Sequence, residues 1–169
     1  FNTQAVGYIV PDLRQSWHLS PVDLTLFIAM GLFGLLLGAL FIAPLADRIG
    51  RRPVLLCCVP FLALCALLTG WSTSLPMLDA ARFLTGLGIG GAMPNAISLA
   101  SEYSPQRRRA LLVVLIFTGF VAGSAAVGLA AGWLVPAFGW RAVFLGGGAL
   151  GLLLVPFLFL AIPESIRFL

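Results

Sequence analysis

Apolar runs long enough to cross a bilayer, broken by short polar clusters, set the pattern of this chain. A helix needs about 20 predominantly apolar residues to span the hydrocarbon core. By that measure the pattern predicts one short span over about 1–13 and five full ones over about 22–46, 53–71, 76–101, 109–135 and 141–162. The expected fold is all-α, a bundle of six transmembrane helices whose first helix is truncated. Helix punctuation marks the breaks. Ser20-Pro21-Val22-Asp23 offers an N-cap serine, proline at the first helical position and an acid three residues after the cap. Gly50 closes one helix and Pro53 opens the next, and Ser104-Pro105 prepares the fifth span.

Composition sharpens this reading. The 169 residues are 60% hydrophobic and only 9% charged, with a mean hydropathy of +1.06. Soluble domains carry about a quarter charged residues, so this chain lacks the polar surface to face water. Its net charge of +4 is therefore no signal for nucleic acid. Cys57, Cys58 and Cys65 share one apolar segment; an odd number with an adjacent pair argues for packing rather than a disulfide framework or metal site. The chain opens at Phe1 within apolar sequence, without a secretory signal pattern, and residues upstream of it are expected.

Arginines set the orientation. Arg48, Arg51, Arg52, Arg107, Arg108, Arg109 and Arg167 fall on one side if six helices alternate, and Arg14 and Arg141 on the other. The positive-inside rule places the larger group, and both ends of the unit, in the cytoplasm. Glycines spaced by four, as in Gly119/Gly123 and Gly128/Gly132, are candidates for close helix approach. Gly86 to Gly91 matches G-x-G-x-x-G literally, but it lies within a span rather than after a strand. Helix packing, not nucleotide binding, is the reading.

Three polar groups carry candidate chemistry. The first is Ala43 to Arg52, read as a tight turn, where Asp47, Arg48, Gly50, Arg51 and Arg52 interrupt apolar sequence. Topology accounts for arginines there but not for Asp47, nor for Glu102 near Arg107 and Arg109, since acids contribute little to orientation. A charge network between the two turns, able to shut one conformation, is expected. The second is Arg82, about 9 Å inside the fourth span. It either snorkels outward paired with Asp79, three residues earlier, or lines a wet cavity, where its planar fork suits a carboxylate. The third is Asn2-Thr3-Gln4, a costly polar run near mid-membrane unless it faces a cavity. Asn95, after Pro94, is a weaker cavity candidate, as are Thr118 and Ser124; His18 beside Trp17 reads as a loop residue. No carboxylate pair, Ser/His/Asp set or metal-ligand spacing supports catalysis, so no enzyme is expected.

Ala43 to Arg52 resembles the hallmark loop of the major facilitator superfamily, G-x-x-x-D-[RK]-x-G-R-[RK], with Ala43 where glycine is usual. The ending Pro163 to Leu169 looks like the segment that closes the first six-helix half of those transporters. FNTQAVGYIVPDL (1–13), RFLTGLGIGGAMPNAISLASEYSP (82–105) and FGWRAVFLGGG (138–148) resemble the aromatic acid:proton symporters, transporters of 4-hydroxybenzoate, protocatechuate, benzoate and vanillate. The resemblance covers the whole chain.

The resemblance implies that 1–169 is an N-terminal transmembrane half-domain, its second six-helix half absent from this sequence and acting as its partner. It implies alternating-access transport of small organic anions across a bacterial inner membrane, by proton symport, with a proton gradient and no cofactor. Asn2, Gln4, Arg82 and Asn95 would bind substrate. Asp47, Arg48, Gly50, Arg51, Arg52, Glu102, Arg107 and Arg109 would form the gate. The family's first helix usually reads Asp-Gly-Phe-Asp-Thr; Asn2 here replaces the second Asp, and an amide carries no proton at working pH. A sugar or polyol porter and a non-transporting scaffold or half-transporter are the alternatives.

Overall fold

The computed structural model describes residues 20–102, 107 and 109–161. The predicted span at 1–13, the Ser104-Pro105 start, His18 and the closing segment lie outside them. All regular structure among the described residues is helical: α1 (Pro21–Ile49), α2 (Arg51–Trp71), α3 (Leu75–Glu102), α4 (Arg109–Phe138) and α5 (Trp140–Ala161). All five are long and apolar enough to cross a membrane. This is a multi-pass membrane protein.

The capping box at α1 forms as its sequence requires. The Ser20 hydroxyl accepts from the Asp23 backbone N–H at 3.3 Å, and Asp23 Oδ2 accepts from the Ser20 N–H at 3.0 Å. Two donors at the helix start are thereby satisfied reciprocally. Further on, α1 passes through a π-helical turn, Gly38–Ile42, where the Ala43 N–H reaches back to the Gly38 carbonyl. Pro44 follows immediately and lacks an N–H of its own, so a widened turn eases the helix past it.

The expected turn at Ala43 to Arg52 shrinks to one residue. α1 continues to Ile49 and α2 begins at Arg51, two residues before Pro53, which sits in its first turn. Gly50 alone reverses the chain, at φ 100° and ψ 148°. A Cβ is strongly disfavoured in that region. Its N–H caps α1 on the Ala46 carbonyl at 3.0 Å. The charged residues are therefore helical, and their directions are set by helix geometry.

α3 is the centre of the bundle, packed against α1 on one side and α2 on another, while α5 lies along α2. Lipid supplies no hydrophobic drive between helices, so close backbone packing must hold them. Glycines allow it. A Cβ on Gly34 would fall on the Phe83 carbonyl and one on Gly38 on the Leu87 carbonyl. From the other helix, a Cβ on Gly86 would meet the Gly31 carbonyl and one on Gly90 the Leu35 carbonyl. The seam is reciprocal, with two glycines spaced by four on each helix. Gly88 packs on Leu62 and Phe61 of α2, and Gly91 on Ile42, so the G-x-G-x-x-G stretch serves helix packing.

The same reasoning fails in α4. Gly119, Gly123 and Gly132 have open space where a Cβ would stand, and the buried residues of α4 are Val127 and Ala131. Spacing by four marks a surface able to pack closely; it does not choose the partner.

Candidate functional site

Two polar regions stand out among the described residues. One lies where α1, α2, α3 and α5 bring their ends together. Arg51 opens α2 and holds two carboxylates. Its Nη2 lies 3.2 Å from Asp47 Oδ1, one helical turn back across Gly50, and its Nη1 pairs with Glu102 at the end of α3. The two contacts differ in kind. The Arg51 and Glu102 side chains are 13% and 15% exposed, whereas that of Asp47 is 65% exposed. A largely buried pair is costly to break from one side, while an exposed one contributes little. Arg52 turns elsewhere and donates to the Phe159 carbonyl of α5 at 3.3 Å. Neighbouring arginines thus tie the start of α2 to two different helices. Arg48, Arg107 and Arg109 are exposed at this end.

At the opposite end Arg141 donates to the Ser72 carbonyl at 2.9 Å and lies 5.5 Å from the Trp140 ring centroid. This ties the start of α5 to the turn between α2 and α3. Among the described arginines, Arg48, Arg51, Arg52, Arg107 and Arg109 lie at one end of the helices and Arg141 at the other, with Arg82 between.

The second region surrounds Arg82, seven residues into α3 and 5% exposed. Its guanidinium carbon lies 4.9 Å from the Phe27 ring centroid of α1 and 5.1 Å from that of Phe144 of α5. Both rings are 2% exposed and belong to the apolar cluster that includes Leu78, Val127 and Val143. Aromatic faces attract the cation electrostatically, most strongly where water is excluded. The guanidinium is held within the bundle by these rings. Asp79 Oδ1 is buried and accepts no hydrogen bond among the described residues.

Arg82 also lines a cavity of about 100 Å³ between α1 and α3, together with Phe27, Gly31, Leu35, Thr85 and Ile89. Thr85 and Arg82 supply the polar side chains of its lining. The walls are otherwise apolar, which suits a ligand with one charged end and an apolar body.

Asn95 lies thirteen residues beyond Arg82 on α3, about 20 Å along the axis. It is buried, its amide donates to the Gly91 carbonyl at 2.7 Å, and it does not line the Arg82 cavity. Asn2 and Gln4 lie outside the described residues. Thr118 donates to the Val114 carbonyl of its own helix. Sequence reasoning passed over Phe27, Phe144 and Thr85. The phenylalanines are two among 13 and gave no signal; Thr85 gave a faint one, its three-residue spacing from Arg82.

Comparison with known proteins adds independent findings. The profile of the Major Facilitator Superfamily matches residues 1–167. The 4-hydroxybenzoate transporter of Pseudomonas aeruginosa is 45% identical over 168 residues, covering 99% of this chain and 38% of that protein. A gallate transporter of Pseudomonas putida is 42% identical over 169 residues, covering 100% of this chain and 38% of that one. The chain thus spans less than half the length of these relatives. Among solved structures, a proton:xylose symporter bound to 6-bromo-6-deoxy-D-glucose superimposes with a TM-score of 0.87 at 21% identity, covering 99% of this chain and 42% of that one. At that identity the likeness concerns the fold.

Proposed function

The chain belongs to the Major Facilitator Superfamily, and from that premise we propose that it forms the N-terminal six-helix half of a secondary transporter for small organic anions, aromatic carboxylates foremost. The observation that carries the substrate class is Arg82. A fixed, buried cation beside an apolar cavity is built to receive a carboxylate on a flat apolar body. The names of the relatives, a 4-hydroxybenzoate transporter and a gallate transporter, agree with that chemistry.

The protein works by alternating access against a C-terminal six-helix half, because a single bundle has nothing to rock against. Glu102 and Arg51 form the core of a cytoplasmic gate, with Asp47, Arg48, Gly50, Arg52, Arg107 and Arg109 around them. Both ends of the unit face the cytoplasm of a bacterial inner membrane, in keeping with the arginine-rich end of the bundle. A proton gradient drives uptake without a cofactor, and Asn2 and Gln4 contribute to substrate binding.

Uptake of labelled 4-hydroxybenzoate or protocatechuate into vesicles carrying the full-length protein tests this. Accumulation above empty vesicles is expected. Its absence for both acids, with and without a pH gradient, overturns the substrate class.

A further inference from the structure

We infer that Thr85 reads a ring hydroxyl on the substrate and so favours hydroxylated aromatic acids over unsubstituted ones. This rests on the transport reading above and names a specificity determinant within the same site.

Thr85 follows Arg82 by three residues, so the two side chains share one face of α3, about 5 Å apart along it. Phe27 and Phe144 lie against the Arg82 guanidinium from α1 and α5. A guanidinium flanked by rings offers its hydrogen bonds around its edge, where five N–H donors serve more than one partner. A carboxylate must therefore meet Arg82 edge-on. The ring attached to it then extends into the cavity, whose lining is otherwise apolar.

Thr85 stands beside that path. It is 2% exposed, lines the cavity, and spends its single hydroxyl hydrogen on the Ala81 carbonyl at 2.7 Å. Toward the cavity it offers lone pairs and no donor. A ligand atom opposite Thr85 is therefore selected for its ability to donate. A phenolic hydroxyl meets that demand, and the C–H of an unsubstituted ring does not. Thr85 and Arg82 line the same cavity, so an acid held at Arg82 by its carboxylate can turn a ring hydroxyl toward Thr85.

The test measures initial uptake of benzoate, 3-hydroxybenzoate and 4-hydroxybenzoate by the full-length protein, its Thr85→Val variant and its Thr85→Ser variant in proteoliposomes. Thr85→Val should raise the ratio of hydroxybenzoate KM to benzoate KM about tenfold for at least one hydroxybenzoate, the loss of one neutral hydrogen bond. Thr85→Ser, which restores the acceptor, should return the hydroxybenzoate KM toward the parent value. Thermal unfolding of the detergent-solubilised valine variant reports that it folds. Equal changes for all three acids, or none, overturn the assignment while leaving the transport reading intact. A parent protein that takes up none of the three overturns the transport reading itself and this inference with it.

Discussion

Gly86 of α3 meets the carbonyl oxygen of Gly31 of α1 so closely that a single methyl group would overlap it. The contact is asymmetric, since a Cβ on Gly31 itself points into open space. Gly86→Ala should therefore force the helices apart, costing about 1–3 kcal/mol as overpacking does, whereas Gly31→Ala should stay close to the parent. Thermal unfolding of the two detergent-solubilised variants checks this, and equal melting temperatures would contradict the seam.

Gly50 carries the whole reversal between α1 and α2 at φ 100°. Gly50→Ala should cost about 1–3 kcal/mol from backbone strain alone. The expected readout is a lower melting temperature and reduced yield of folded protein. An unchanged melting temperature would show that the turn relaxes without penalty.

The two carboxylates on Arg51 should differ in weight. Glu102→Gln removes one partner of a largely buried pair, and about 3 kcal/mol of stability is expected to go with it. Asp47→Asn touches a mostly exposed pair and should cost less than about 1 kcal/mol. Denaturation of both variants under one set of conditions ranks them; the reverse order would refute the burial argument. Arg51→Glu combined with Glu102→Arg should recover part of the loss.

Arg82→Lys keeps the charge but gives up the planar fork and its fit between the Phe27 and Phe144 rings. At least a tenfold higher KM for 4-hydroxybenzoate is expected, the equivalent of about 1.4 kcal/mol. A KM equal to the parent's would mean that charge alone suffices and that the aromatic clamp has no role in binding.

Asn2 bears on coupling. An amide cannot shuttle a proton, so Asn2→Asp should strengthen the dependence of uptake on the pH gradient. Matching pH profiles of variant and parent would dissociate this position from proton movement.

The sequence by itself determined the helices and their charged ends. Bilayer thickness demands about 20 apolar residues per span, and ions are expelled to the span ends, so α1 to α5 and the clusters around Arg51 and Arg107 were legible as pattern. A capping box at Ser20 and a reversal at Gly50 were legible too, because each is local chemistry. Partner choice was not. Gly34/Gly38 and Gly86/Gly90 close a seam while Gly119/Gly123, with the same spacing, have no described neighbour. The aromatic clamp joins Phe27, Arg82 and Phe144 from three helices far apart in the chain. That Arg51 reaches α3 and Arg52 reaches α5 likewise follows from how helices rotate against one another. Only the tertiary structure decided these contacts, because hydropathy fixes where a helix lies in the membrane but leaves its rotation and neighbours to side-chain packing.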